Sequence, residues 1–425
     1  MNKPPKWALQ KLILMIAWLS IGFSVGLFIA CSDSQQAVNS VHDVDTHKMG
    51  QAQPKADLKA IAKIDAKALT EHTESSLAKH HFFQEIMGTR FQVQLIAIDR
   101  QTALSVARAS FNEARRIEHL MSSWRKESEI GQINTFAGKK QLSISYETAW
   151  LLCKAKHLST LTRGSFDITW ASLKGLWNFK TQQIPKHETL LSRLKAVGSN
   201  KYIALTIKDQ QGMDRSCEAL LSLSSPHPIW TRFELQPPVE WNWSFKAQLT
   251  HAQSQIDLGG IAKGFAVDSM ARLIKHLGYT DFIVDGGGDL LVVGRDQKQE
   301  PWQVGIQHPR HDQLWGSLWV PSGWSVVTSG DYERFFYHNE QRYHHIIDLR
   351  TGYPAQGSVA MTVIAQNALM ADVLATALFI LGPYEGIALA DSISGVEALC
   401  FTPSGEVVFT QGAHIFSPNL TNRWK

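Results

Sequence analysis

The run Ile256-Asp257-Leu258-Gly259-Gly260-Ile261-Ala262-Lys263-Gly264-Phe265-Ala266-Val267-Asp268 carries the densest signal in the chain. Its glycines let the backbone approach a ligand closely. The positions that follow, Ala266, Met270, Leu273, Ile274 and Leu277, share one helical face, and Gly278 supplies the stop. A helix that begins here points its N-terminus back at the glycines, which makes a ready phosphate site. The spacing matches neither G-x-x-x-x-G-K nor G-x-G-x-x-G. The competing reading is a tight strand-to-helix turn that needs glycine for packing alone.

On the C-terminal side, Phe282 to Asp285 and Leu290 to Val293 flank Gly286-Gly287-Gly288-Asp289 and read as a hairpin with a glycine turn. On the N-terminal side, Phe82 to Leu95 alternates apolar and polar residues, predicting a hairpin that turns at Met87-Gly88-Thr89. Thr102 to Met121 has a helical period, and strand and helix signals alternate from there to the end. The fold class expected is therefore α/β or α+β. One stretch stands apart, from about 202 to 249, with Ser225-Pro226-His227-Pro228, Pro237-Pro238, Trp230, Trp241 and Trp243; it is read as an insertion. No internal repeat is visible.

The chain has 425 residues, 44% hydrophobic and 19% charged, enough apolar material for one large domain or two ordinary ones. Lys plus Arg number 42 against 38 Asp plus Glu, so the net charge of +4 gives no footprint for nucleic acid. The four cysteines, Cys31, Cys153, Cys217 and Cys400, are far apart with no C-x-x-C pair. That pattern argues against a zinc knuckle, a thioredoxin-type motif or a disulfide scaffold, and directs any metal toward oxygen ligands.

Lys3, Lys6 and Lys11 precede an uncharged run from Leu12 to Ala30 that stops at Cys31, the pattern of an export signal over residues 1–30. Phe28-Ile29-Ala30-Cys31 resembles a bacterial lipobox, with Phe28 where leucine is usual. The expectation is a lipidated Cys31 that tethers the body to the membrane. The alternative is an uncleaved span of ~20 apolar residues. Lipidation of Cys31 would leave three thiols, so at least one stays free or pairs between chains. Residues 31–79 read as a polar tether with one short helix near Ala56 to Leu69, and the body runs over 80–425.

Three further runs carry chemistry. Thr328-Ser329-Gly330-Asp331-Tyr332-Glu333-Arg334 and His344-His345-Ile346-Ile347-Asp348-Leu349-Arg350-Thr351-Gly352-Tyr353-Pro354 place imidazole beside acid and guanidinium, able to move a proton or hold a phosphate. The plain reading is a satisfied histidine in a strand. In Ala371-Asp372-Val373-Leu374-Ala375-Thr376, the four-residue step sets Asp372 and Thr376 on one helical face. A carboxylate with a hydroxyl suits a hard cation, and magnesium needs only one or two protein oxygens. The alternative has Thr376 bonded back to the helix and Asp372 in a cap or salt bridge.

Taken together with Met87-Gly88-Thr89, Ser122-Ser123-Trp124, Ser128-Glu129-Ile130, Asn134 and Gly164-Ser165-Phe166-Asp167-Ile168-Thr169, these runs resemble the ApbE family of FAD:protein FMN transferases over roughly residues 82–405. The resemblance implies mixed sheets with outer helices and a flavin cleft between two lobes. It also implies a magnesium-dependent enzyme that splits FAD, attaches FMN by a phosphoester to a threonine or serine of an acceptor protein, and releases AMP. By residue, it implies Asp372 and Thr376 as metal ligands with the carbonyl of Gly260, and His345 as the catalytic group. Met87, Trp124, Ser165, Phe166, Asp167, Asp257, Lys263 and Ile346 fall where the family contacts FAD. Trp124 stands where tyrosine is common, so a stacking ring is kept. Leu349 replaces the usual proline of the His-Ile-Asp-Pro run. The implied location is the periplasmic side of the inner membrane. The implied acceptors are subunits of sodium-pumping quinone reductase or a related electron-transport complex. An FAD pyrophosphatase and a non-catalytic flavin-binding lipoprotein are the alternatives.

Overall fold

Strand residues of alternating burial decide the architecture. In the strand Thr89–Ala97, Phe91, Val93 and Leu95 enter one core while Ile96 enters another on the opposite face. The same split recurs in Phe282–Gly286, where Phe282 and Val284 part from Ile283, and in Val396–Phe401, where Leu399 and Phe401 part from Ala398 and Cys400. Such a period-two pattern with both faces apolar describes a sheet covered on both sides.

The sheet has eight strands, in the order Ala78–Ile86, Thr89–Ala97, Phe282–Gly286, Asp289–Val293, Ser325–Gly330, Ala360–Ala365, Val396–Phe401 and Val407–Phe409. Every ladder in it is antiparallel. One face packs on helices that include Arg100–Met121, Ala262–His276 and Ala368–Leu381. The other face carries the hairpin Trp302–Gln307 with Leu314–Val320 and the C-terminal Phe416 and Trp424. Helices and sheets share one body, the class expected from sequence, with its α+β character set by the antiparallel ladders.

The computed structural model describes residues 77–223 and 243–424. The expected signal at 1–30, nearly all of the tether, the helix near Ala56 to Leu69, Trp230 and Trp241 lie outside the described residues. No helix among the described residues is long and apolar enough to cross a membrane.

Both sequence-predicted hairpins are present. Met87 and Gly88 (φ 53° and 74°) and Gly287 and Gly288 (φ 73° and 99°) form the two-residue turns, with both central residues in the left-handed region that matches strand twist. The turns are neighbours: a Cβ on Gly287 would stand 2.2 Å from Thr89 Oγ1.

A second sheet orders Leu142–Ile144, Ser244–Leu249, Ile203–Lys208 and Asp214–Arg215, all antiparallel. The two ends of the stretch read as an insertion are thus strands paired with each other, and residues 224–242 between them lie outside the described residues. A disulfide between Cys153 and Cys217 ties the helix Tyr146–Leu161 to the helix Cys217–Ser222, and Cys400 is free and buried. One thiol does stay free, while the pairing joins residues 64 apart that spacing alone could not match.

Two helices meet with almost no gap. A Cβ on Gly264 would lie 2.3 Å from the carbonyl oxygen of Ala368. The Asp268 carboxylate, one helical turn along, accepts from Ala368 N (2.8 Å) and Leu369 N (3.1 Å) and so caps the second helix beside its own N-cap, Asn367. We predict that Gly264→Ala lowers stability by about 1–3 kcal/mol through overpacking, read as a lower Tm. Gly316→Ala, whose Cβ would meet nothing within 4 Å, should change it by less than about 0.5 kcal/mol.

Candidate active site

The close helix crossing delivers Lys263, in the first turn of Ala262–His276, to two carboxylates from distant segments. Lys263 Nζ donates to Asp289 Oδ2 (2.9 Å) and Asp372 Oδ1 (3.1 Å), and the backbone N–H of Gly264 donates to Asp372 Oδ2 (3.2 Å). A helix N-terminus with a carboxylate against it is an electrostatically favoured pairing. Burial, reinforced by the Asp372 carboxylate, pushes the Asp289 carboxyl well above its ordinary value, with Lys263 opposing. Burial disfavours the Lys263 ammonium, but the two carboxylates more than reverse that and raise its pKa. Asp289 opens the strand after the glycine turn that the sequence reads as part of a hairpin; its role emerges only from the partner that the fold brings to it.

Thr376 sits one turn beyond Asp372, with its Oγ1 3.4 Å from Ser329 Oγ. Gly260 faces the same point, since a Cβ there would stand 4.0 Å from Thr376 Oγ1 and 3.4 Å from Phe166 Cε2. The Asp372 carboxylate, the Thr376 and Ser329 hydroxyls and the backbone of Gly260 lie close together here, an oxygen-rich chemistry that fits a hard cation. Among the described residues, no cluster of three or more His, Cys, Asp or Glu is arranged for a metal. An ion at this point would therefore draw on hydroxyl and backbone oxygen as well as on Asp372.

At the other end of the same loop, Asp257 receives hydrogen bonds from Gly259 N (2.8 Å), Ser123 Oγ and Lys174 Nζ. Lys174 Nζ also lies 4.4 Å from the centroid of the Trp124 ring, which is 83% exposed and offers its face to a planar ligand. A cavity of about 400 Å³ opens here, lined by Ser123, Asn134, Lys174, Arg193 and Gln255 among others. Ser123 and Asn134 stand in motifs noted in the sequence; Lys174 and Arg193 carry no motif and are found only by proximity.

The paired histidines divide their roles. His344 is tied down, with Nε2 2.9 Å from the Ala355 carbonyl and Nδ1 accepting from Ile346 N (3.3 Å). His345 holds the backbone through its N–H to Arg334 O (3.0 Å), while its ring Nδ1 is buried without a hydrogen-bond partner. Burial first, then the charges of His344, Arg334 and Lys263, lowers the His345 pKa to about 4. Ile346 is buried beside it. The following turn stays closed despite Leu349, because Asp348 O accepts from Gly352 N (2.7 Å) and Asp348 Oδ1 accepts from Arg350 N (2.9 Å). Trp177 Nε1 clamps it from outside by donating to Gly352 O (3.0 Å).

Three predicted contact residues are not drawn into the lysine centre through their side chains. Met87 occupies the neighbouring hairpin turn, where its N–H donates to Glu118 Oε1 (3.0 Å). Ser165 Oγ donates to Thr162 O (2.8 Å). The Asp167 carboxylate accepts five hydrogen bonds, from Ser159 Oγ, Thr169 N and Oγ1, and Ser199 N and Oγ. It knots the loop after Tyr146–Leu161 to the residue that opens Ser199–Tyr202. Asp167→Ala should accordingly cost about 2–4 kcal/mol, because several buried donors lose their acceptor at once. A denaturant melt in the absence of flavin checks this, and an unchanged midpoint would contradict the knot.

Residues 87–400 match the model of the ApbE family. The FAD:protein FMN transferase of Treponema pallidum is 31% identical over 315 residues, which cover 71% of this chain and 78% of that one. That of Haemophilus influenzae is 29% identical and covers 72% and 81%. Among solved structures, the ApbE protein of Thermotoga maritima superimposes with a TM-score of 0.65 at 26% identity, over 80% of this chain and 99% of that one. The apo flavinyl transferase ApbE of Pseudomonas stutzeri, 23% identical over 82% of this chain and all of its own, shares the fold with a TM-score of 0.64. A family match that spans most of the chain, on a fold that places Gly260, Lys263, Asp372 and Thr376 at one point, establishes that this chain belongs to the ApbE family.

Proposed function

We propose that the protein is an FAD:protein FMN transferase that uses Mg²⁺, held by Asp372, Thr376 and the Gly260 carbonyl, to move FMN from FAD to a threonine or serine hydroxyl of an acceptor. The observation that carries this reading is the meeting of Lys263, Asp372, Thr376 and Gly260 with His345, whose ring Nδ1 has no partner, within electrostatic reach of the same lysine. Pure flavin storage would not require that set.

The acceptor oxygen attacks the phosphorus of the FMN half, the bond from that phosphorus to the bridging oxygen breaks, and AMP departs with the electron pair. When bound, Mg²⁺ supplies positive charge against the pyrophosphate oxygens as negative charge shifts to the leaving phosphate. Lys263 adds a point charge on the same side. His345, neutral at pH 7 because its pKa lies at about 4, accepts the hydroxyl proton at the buried Nδ1 that has no other partner. Trp124 offers a stacking face, Asp257 a carboxylate bonded to the cavity-lining Ser123 and Lys174, and Phe166 and Ile346 buried apolar surface. Ser165 and Asp167 contact FAD chiefly through backbone atoms, because their side chains are already engaged, whereas Met87 has its backbone N–H engaged by Glu118.

The Cys153–Cys217 disulfide supports an oxidising compartment. With the Lys-flanked uncharged run and Cys31, it supports a lipoprotein on the periplasmic side of the inner membrane. Its acceptors there would be subunits of sodium-pumping quinone reductase or a related electron-transport complex. Nucleic acid is not a partner on this reading.

The full chain incubated with FAD, Mg²⁺ and a candidate acceptor domain should yield a covalent FMN adduct, seen by mass spectrometry and abolished by EDTA. AMP and free FMN without an adduct would make it a pyrophosphatase, and intact bound FAD a carrier. Asp372→Ala should reduce adduct formation ~10²–10³-fold. His345→Asn should lower turnover at saturating FAD by ~10²-fold or more, and unchanged turnover would remove the base role. The acid limb of kcat/KM should have its midpoint near the His345 value of about 4, below that of an ordinary imidazole, with activity lost as pH falls through it.

A further inference from the structure

Lys263 is not a simple salt-bridge partner. Its ammonium is shared between two buried carboxylates that face one another, Asp289 and Asp372, at 2.9 and 3.1 Å. The two carboxylates are held differently. Asp372 has a second donor, Gly264 N at 3.2 Å, that keeps it in place whatever Lys263 does. Asp289 begins its strand directly after the Gly287-Gly288 turn, and Lys263 is its side-chain donor. The lysine itself is about a quarter exposed, on a four-carbon stem able to swing between the two sites.

Resting on the metal reading above, we infer that Lys263 and Asp289 form a built-in counter-ion device: Lys263 Nζ guards the Asp372 carboxylate in the metal-free protein and withdraws onto Asp289 when a divalent cation takes Asp372. Asp289 is on this view a positioning residue that sets metal affinity through Lys263 and touches no ion itself. Two buried like charges side by side make an expensive arrangement unless a cation is always present. The lysine supplies that cation during folding and between metal-loading events, and Asp289 gives it somewhere to go.

Calorimetric titration of Mg²⁺ into the full, metal-stripped chain in detergent, without FAD, tests this with variants of opposite sign. Lys263→Met removes the competitor and should bind Mg²⁺ ~10-fold more tightly, while melting lower than wild type before metal is added and recovering on addition. Asp289→Asn leaves Lys263 with Asp372 alone and should bind Mg²⁺ several-fold more weakly. The double variant should match Lys263→Met. Where Lys263→Met does not fold without metal, Lys263→Gln keeps donors but no charge and should show the same tightening. Weakening by both single variants would reduce the pair to a structural role and overturn the device. Weakening by Asp289→Asn in the Lys263→Met background would also overturn it, making Asp289 a ligand. Mg²⁺ binding that Asp372→Ala abolishes but the Lys263 variants leave unchanged defeats this inference alone, whereas absence of Mg²⁺ binding to the wild type defeats the metal reading with it.

Discussion

Everything at the centre of this protein depends on two helix starts being allowed to touch. With no side chain at Gly264, the helix Ala262–His276 lies against the backbone of Ala368 and Leu369. That contact is locked in both directions by acid on amide: Asp268 caps the second helix, and Asp372 of the second helix accepts from the first turn of the first. Helix N-termini carry unsatisfied N–H groups and partial positive charge, so each carboxylate removes an exposed donor and gains a favourable field. A larger residue at 264 would push the two starts apart and separate Lys263 from Asp372.

The electrostatics follow from that geometry. Burial raises the cost of every charge at the site, and each is met by a named partner: Lys263 by Asp289 and Asp372, Asp257 by Lys174 and Ser123. His345 is the exception, neutral by virtue of burial and neighbouring positive charge, with a ring nitrogen left without a partner. A protein interior rarely leaves such an atom idle, which is why the unpaired nitrogen beside a cation centre reads as a working group. The adjacent His344, with both ring nitrogens engaged, shows what the merely structural histidine looks like in the same strand end.

Local elements were legible because their causes are local. Alternation along Phe82 to Leu95 and the Met87-Gly88 turn, the glycine turn after Asp285, the apolar face from Ala266 to Leu277 with its Gly278 stop, and the four-residue step from Asp372 to Thr376 all appear where the pattern placed them. Periodicity could separate helix from strand, yet it could not order eight strands, because the alternation is the same whichever neighbour a strand takes. Nor could spacing choose Cys217 for Cys153, since the pairing joins residues 64 apart on two separate helices.

The site divides along the same line. Residue chemistry in the chain determined that a glycine-rich helix start, an Asp-Thr pair and a His-rich strand end existed, and family resemblance named which of their residues to watch. Tertiary structure alone decided that Asp289 shares Lys263 with Asp372, that Ser329 stands beside Thr376, that Lys174 covers Asp257, and that Asp167 is consumed by the loop it ties. The physical reason is that hydrogen bonds and ion pairs depend on distance in space. Asp289 and Asp372 lie 26 and 109 residues from Lys263 along the chain, and only packing brings both within reach of one ammonium group.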